Sequence, residues 1–350
     1  MQSTKTSAPR KALAVVLAVA AVSERLALTD PTVEMSMVVL EPRTGLVRAM
    51  VGGRDYNASQ VNLATGGSLG MQPGSSFKPF TLAAAFERGY RPDSVVPAPA
   101  LYRVPGCEGD ACTIKNSEGS GYGSATLRQA AVSSINTAFV ELTGRIGIPA
   151  VAEMARRLGV GAITADRDYG VSLTLGAYEV SPLDMASAYG VFANSGVRQE
   201  PTGVVRITDR TGRVLEDNSS RPGTRVVAAA VATNVTDVLR GVITSGTGRN
   251  AGINRPAAGK TGTTDDYHDA WFVGYTPQLS AAVWMGHRDE VRSLGGVSGG
   301  SHPAIAWGSF MRRALNGVPV VDFPPPGQLV APADAANGGA GAGGAVRAAD

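Results

Sequence analysis

The stretch Gln72-Pro73-Gly74-Ser75-Ser76-Phe77-Lys78-Pro79-Phe80, followed by the run Thr81 to Phe86, constrains this chain more than any other. Gly74 frees the preceding loop to turn sharply, and Ser75 suits the mouth of a helix, where a hydroxyl meets unpaired backbone amides. Proline is tolerated best in a first helical turn, so Pro79 independently places the helix start close to Ser75. Leu82, Ala83, Ala84, Ala85 and Phe86 leave no polar face, which predicts a fully buried helix. Residues three apart share a helical face, so Ser75 and Lys78 set a hydroxyl beside an amine, a weak nucleophile beside a base. Alone, the same pair also describes a capped helix with a solvated lysine.

With 350 residues the chain can bury a large core, and one large domain is expected. The 32 basic and 29 acidic residues leave a net charge of +3. No basic cluster or aromatic-basic ladder stands out, so nothing points to nucleic acid as a partner. Cys107 and Cys112 enclose a short polar loop whose spacing permits a disulfide, and equally two free thiols; bonded, they hint at an oxidising compartment. They make a poor metal site, and His268, His287 and His302 lack ligand spacing, so no metal is expected.

Residues 1–34 read in two ways. Lys5, Arg10 and Lys11 precede an apolar run from Ala12 to Val22, and Ala18-Val19-Ala20 resembles a cleavage site, as in a secretory signal. The helical pattern also continues through Ser23-Glu24-Arg25-Leu26 to Asp30-Pro31, as in a packed linker helix. The run falls short of the about 20 residues needed to span a bilayer.

Met35 to Leu40 and Leu46 to Val51 read as a hairpin. Gly52 to Gly74 is a loop, and Tyr90 to Gly123 an irregular surface excursion. Three helical segments follow between Ala125 and Leu158. Ser181-Pro182 starts another helix that Gly196 ends, Val204 to Leu215 is a small hairpin, and Val226 to Ile243 is a long helix. Ala257 to Thr261, Ala270 to Tyr275 and Ser280 to Gly286 are strands, and Ile305 to Leu315 is a closing helix. The expected class is α/β of the α+β kind: an antiparallel sheet of about five strands, joining both ends of the chain, flanked by helices. The domain spans 35–318, and the Pro/Gly/Ala-rich tail 319–350 is expected to be disordered.

Two further motifs matter. Ser134-Ile135-Asn136 falls where one helix ends and the next begins, so both polar side chains can project into a cleft or merely cap a helix. Lys260-Thr261-Gly262-Thr263 lies on a strand, where alternation puts Lys260 and Gly262 on one side and Thr261 and Thr263 on the other. Gly262 there leaves room for a substrate backbone to approach.

An SxxK serine, then SxN, then KTG, in that order, is the pattern of penicillin-binding proteins and serine β-lactamases. The chain resembles the transpeptidase domain of class A penicillin-binding proteins. Gln72 to Pro79, Ser134-Ile135-Asn136-Thr137-Ala138-Phe139, Gly246-Thr247-Gly248, Gly259 to Thr264, and Asp269-Ala270-Trp271-Phe272-Val273-Gly274-Tyr275 all carry the likeness. It implies acyl transfer, without a cofactor, on peptidoglycan stem peptides ending in D-Ala-D-Ala, at the outer face of the cytoplasmic membrane. Ser75 is the implied nucleophile, Lys78 its base and Ser134 the proton carrier to the leaving amine. Asn136 is implied to hold the substrate amide and Lys78, and Lys260 with Thr263 to bind the terminal carboxylate. The amides of Ser75 and Thr263 form the implied oxyanion hole, and β-lactam antibiotics are implied covalent inhibitors.

Class A proteins carry a glycosyltransferase domain and an anchor upstream, and neither fits before Met35. The expectation is therefore a transpeptidase module alone, with other cell-wall synthesis proteins supplying the glycosyltransferase. Alternatives are a D,D-carboxypeptidase, with water as acceptor, and a non-catalytic β-lactam-binding or peptidoglycan-binding module. A β-lactamase fits less well, because no family-like glutamate loop lies between Ser134 and Lys260. Gly66-Gly67-Ser68-Leu69-Gly70 matches GxSxG without the strand and helix that elbow requires. Gly259-Lys260-Thr261 lacks the upstream glycine of a phosphate loop, since Asn254 stands there.

Overall fold

A computed structural model describes residues 30, 32–66, 71–107, 109 and 112–330. The signal-or-helix question at 12–22, most of the GxSxG stretch and the tail beyond 330 lie outside these residues.

Strands β1 (Val33–Leu40) and β2 (Val47–Val51) form the N-terminal hairpin, with Met37 opposite Val51. A 3-10 turn, Gly74–Phe77, runs directly into α1 (Lys78–Glu87). The excursion from Tyr90 to Gly123 is more ordered than its composition suggests. It contains β3 (Val95–Ala98), β4 (Leu101–Arg103) and β5 (Thr113–Lys115), and β6 (Gly123–Thr126) follows. β3 pairs with β6 and β4 with β5 in two short antiparallel ladders, so backbone pairing rather than an apolar face organises it.

Helices α2 (Leu127–Val132), α3 (Asn136–Ile146) and α4 (Ile148–Leu158) follow, and α5 (Pro182–Ala193) starts at a Ser181 hydroxyl that accepts from the Asp184 amide. β7 (Val197–Arg198) pairs with β10 (Thr224–Arg225), and β8 (Arg206–Thr208) with β9 (Val214–Asp217), ahead of α6 (Ala229–Thr244). The chain then supplies β11 (Ala258–Thr263), β12 (Ala270–Tyr275), β13 (Ser280–His287) and α7 (His302–Ala314).

Five strands form one sheet in the order β11-β12-β13-β1-β2, with antiparallel pairing throughout. Alternation divides each inner strand between two cores. Trp271, Val273 and Tyr275 of β12 face the larger one, with α1 to α6, while Ala270 and Phe272 face the smaller one, beneath α7. α1 runs through the larger core with every residue from Lys78 to Phe86 buried. Phe80 stands edge-on to Phe77 and Tyr189, at 4.9 and 5.9 Å between ring centres. Burying each such ring stabilises the fold by about 1.5–3 kcal/mol, so the helix carrying Lys78 is fixed by packing.

Residues 319–330, the described part of the expected disordered tail, pack against the core. Phe323 is buried with its ring 5.6 Å from that of Tyr275, and Gly327 exchanges hydrogen bonds with Asn234 and Thr233 of α6. One buried aromatic side chain and these bonds to the Gly327 backbone hold the proline-rich segment against the core.

Candidate active site

Ser75 lies in the 3-10 turn and is half-buried. It does not cap the helix, contrary to the sequence expectation: the turn starts after Pro73 with no side-chain cap, and the α-helix begins only at Lys78. In a 3-10 turn residues i and i+3 eclipse, so Ser75 and Lys78 still align. Among the described residues the Ser75 hydroxyl has no hydrogen-bond partner. The turn around it is held firmly, with Ser76 Oγ donating to Pro73 O at 2.7 Å and the buried Tyr189 hydroxyl donating to Ser76 O at 2.5 Å. Gly74 has φ of 54°, and a Cβ there would lie 2.7 Å from Thr263 O. Only glycine lets this turn rest on the end of β11.

The Lys78 amine is held by the Ser134-Ile135-Asn136 segment. It bonds to Asn136 Oδ1 at 2.6 Å and to Ser134 O at 2.7 Å, with Ser134 Oγ at 3.3 Å. Burial pushes its pKa well below the usual lysine value; the Lys260 charge adds to this and Glu118 opposes it. Asn136 opens α3, and its amide nitrogen donates to Lys115 O of β5 at 2.9 Å, so its oxygen faces Lys78. Ser134 has φ of 59°, a left-handed conformation uncommon outside glycine. Strain of this kind costs about 1–3 kcal/mol, and here it turns the carbonyl and hydroxyl of one residue toward the same amine.

Lys260 is also fully buried, and desolvation lowers its pKa to about 7. Its amine donates to Ser134 Oγ at 2.9 Å and to Thr261 O at 3.1 Å. The hydroxyl of Ser134 therefore bridges two lysines. Thr261 Oγ1 meets Thr247 Oγ1 at 2.8 Å, and the half-buried Thr263 accepts from the Gly299 amide at 3.1 Å.

Hydrogen bonds thus join Lys78, Ser134, Asn136, Lys260 and Thr261, while Ser75, Gly262 and Thr263 sit where the turn meets β11. Gly262 has a different purpose from the one its sequence context suggests. A Cβ there would lie 2.1 Å from Pro73 O and 3.0 Å from Ser76 Oγ, so its missing side chain admits the Ser75 turn rather than a substrate. Cys107 and Cys112 form a disulfide across Cα atoms 5.6 Å apart, beside the β4–β5 ladder whose Lys115 touches Asn136. Thr247 and Tyr189 join the site without a sequence signal of their own. Thr247 stands out in the sequence only within Gly246-Thr247-Gly248, and no local pattern marks Tyr189, which lies inside the helix that starts at Ser181-Pro182.

A serine hydroxyl left unbonded among the described residues, aligned with a lysine whose charged form burial disfavours, defines a class of serine acyltransferase in which an amine serves as base. Residues 35–289 match the family model described as the penicillin binding protein transpeptidase domain. Penicillin-binding protein 1A of Aquifex aeolicus (strain VF5) is 38% identical over 304 residues, covering 86% of this chain and 41% of that protein. Penicillin-binding protein 1A of Mycolicibacterium smegmatis is 34% identical over 336 residues, covering 89% and 41%. The solved structure of PonA1 from Mycobacterium tuberculosis in complex with penicillin V superposes with a TM-score of 0.81 at 31% identity, covering 92% of this chain and 87% of that one. The chain belongs to the penicillin-binding protein transpeptidase family, in its class A branch. It spans about two fifths of the length of these two curated relatives.

Proposed function

We propose that the chain is a serine D,D-transpeptidase that cross-links peptidoglycan stem peptides ending in D-Ala-D-Ala and is acylated by β-lactams. The observation that carries this reading is the Lys78 amine, wholly buried and bonded to both Ser134 and Asn136. A lysine so placed favours its neutral form and can act as a base near neutral pH.

Ser75 Oγ attacks the penultimate D-Ala carbonyl as Lys78 takes its proton. The C–N bond then breaks, and the departing D-Ala amine receives a proton from Lys78 through the Ser134 hydroxyl. An amine of a neighbouring stem attacks the ester, its proton passes to Lys78, and Ser75 Oγ leaves with a proton from the same lysine. The Ser75 and Thr263 amides hold the oxyanion. The terminal carboxylate meets the hydroxyls of Thr261 and Thr263. Lys260 faces inward to Ser134, so its charge acts on that carboxylate from behind rather than by direct contact.

Such substrates place the domain on the extracytoplasmic side, where a glycosyltransferase in the same or another chain supplies the glycan. Among the described residues no helix is long and apolar enough to cross a membrane. The test is incubation with a stem pentapeptide and an acceptor peptide bearing a free amine, read by mass spectrometry. Cross-linked product with released D-Ala supports transpeptidation. Released D-Ala with hydrolysed peptide alone points to a carboxypeptidase, and no release to a binding module.

A further inference from the structure

Asp269 stands outside this machinery, yet three of its groups are tied to the frame around it. Its carboxylate accepts from the indole Nε1 of buried Trp284, on β13, at 2.7 Å. Its amide donates to Thr264 Oγ1 at 2.8 Å, and its carbonyl accepts from the Thr264 amide at 3.1 Å. These two bonds close the turn between β11 and β12 immediately after Thr263. That turn is strained: the non-glycine residues Asp266 and Tyr267 have φ of 53° and 59°. Strain of this kind persists only where the surroundings hold it. On the other side, the backbone amide of Gln72, at the entry to the Ser75 turn, faces the same carboxylate.

We propose that Asp269 is a positioning residue for acyl transfer, fixing the spacing between the Ser75 turn and the Thr263 end of β11. It rests on the function proposed above, in which the amides of these two segments form the oxyanion hole. Oxyanion donors act through placement, and a shift of about 1 Å at such a site can cost about 10²-fold in rate. The contact between the segments leaves little slack, because a Cβ on Gly74 would already strike Thr263. Asp269 makes no bond to substrate and moves no proton.

Its carboxylate also titrates in a useful range, since burial raises its pKa to about 6 against the lowering effect of Trp284, Gln72 and His268; Glu179 adds a smaller upward push. Holding two N–H groups favours the ionised form. Removing the Trp284 donor therefore raises the pKa and moves the acid limb of activity to higher pH, whereas the limb owed to the lysines stays in place.

The experiment measures acylation by benzylpenicillin as a noncovalent affinity and a saturating rate constant, across the acid and neutral range, for the wild type, Asp269→Asn and Trp284→Phe. Asp269→Asn should lower the saturating rate about 10²-fold with noncovalent affinity unchanged. Trp284→Phe, which keeps an aromatic ring, should shift the acid limb upward. Wild-type rates in Asp269→Asn together with an unmoved limb in Trp284→Phe overturn the proposal. If Asp269→Asn gives no cooperative melt, the limb in Trp284→Phe decides alone. A wild type that never acylates at Ser75 removes the functional reading itself, and this inference with it.

Discussion

Lys260 donates to the Ser134 hydroxyl across 2.9 Å, and both the hydroxyl and the carbonyl of Ser134 accept from Lys78. Two buried amines thus share one serine, which lies 56 residues from Lys78 and 126 from Lys260 along the chain. Burial lowers the pKa of both amines and the Lys260 charge lowers that of Lys78 further, so neither holds its proton as an ordinary lysine does.

Lys78→Ala should fold and bind β-lactam noncovalently but acylate about 10²–10⁴-fold more slowly, the usual worth of a general base. Rapid-quench mass spectrometry measures the rate. Acylation at the wild-type rate would mean that another base acts.

Ser134→Ala removes the bridge while leaving the Asn136 contact to Lys78 at 2.6 Å. Release of the leaving amine should slow more than β-lactam ring opening, which retains its leaving group. Comparing the loss of rate on a D-Ala-D-Ala peptide with that on benzylpenicillin tests this. Equal losses would remove the proton-carrying role.

Lys260 has a folded pKa of about 7 against an ordinary 10.5, lowered by burial. Between those values the unfolded chain binds a proton that the folded one lacks, so stability rises with pH through that window; below about 7 both states are protonated and the cost is complete. Each pH unit of depression is worth about 1.4 kcal/mol. Lys260→Met should therefore raise the melting temperature at neutral pH, flatten its rise toward alkaline pH and abolish efficient acylation. A melting temperature that falls at neutral pH would contradict this electrostatic account.

Gly262→Ala drives a methyl group toward Pro73 O, 2.1 Å from the Cβ position. The chain cannot yield there without moving the Ser75 turn. Overpacking of this kind costs about 1–3 kcal/mol, and acylation should fall with it. Thermal melting together with the acylation rate checks both. Normal values for both would mean that the turn has more freedom than its contacts imply.

The sequence made much of this legible because its signals were local or ordered along the chain. The alternating strands at both ends gave the sheet, and the SxxK, SxN and KTG motifs gave the residues that meet around Lys78. What escaped depends on contacts between distant backbones. Gly262 looked like an opening for substrate because nothing local shows the Ser75 turn lying on β11. The start of α1 looked capped by Ser75 because a 3-10 turn leaves no compositional mark. Phe323 was lost in a proline-rich segment, and the direction in which Lys260 points depends on Ser134, whose left-handed backbone no pattern announces.

The most direct test is the intact mass of the folded chain after incubation with benzylpenicillin, followed through time and mapped by peptide digestion, beside Ser75→Ala. A long-lived adduct on Ser75 that is absent from the folded variant is the predicted result. An adduct on Ser75→Ala, or none on the folded wild type, would contradict the assignment of Ser75 as the nucleophile.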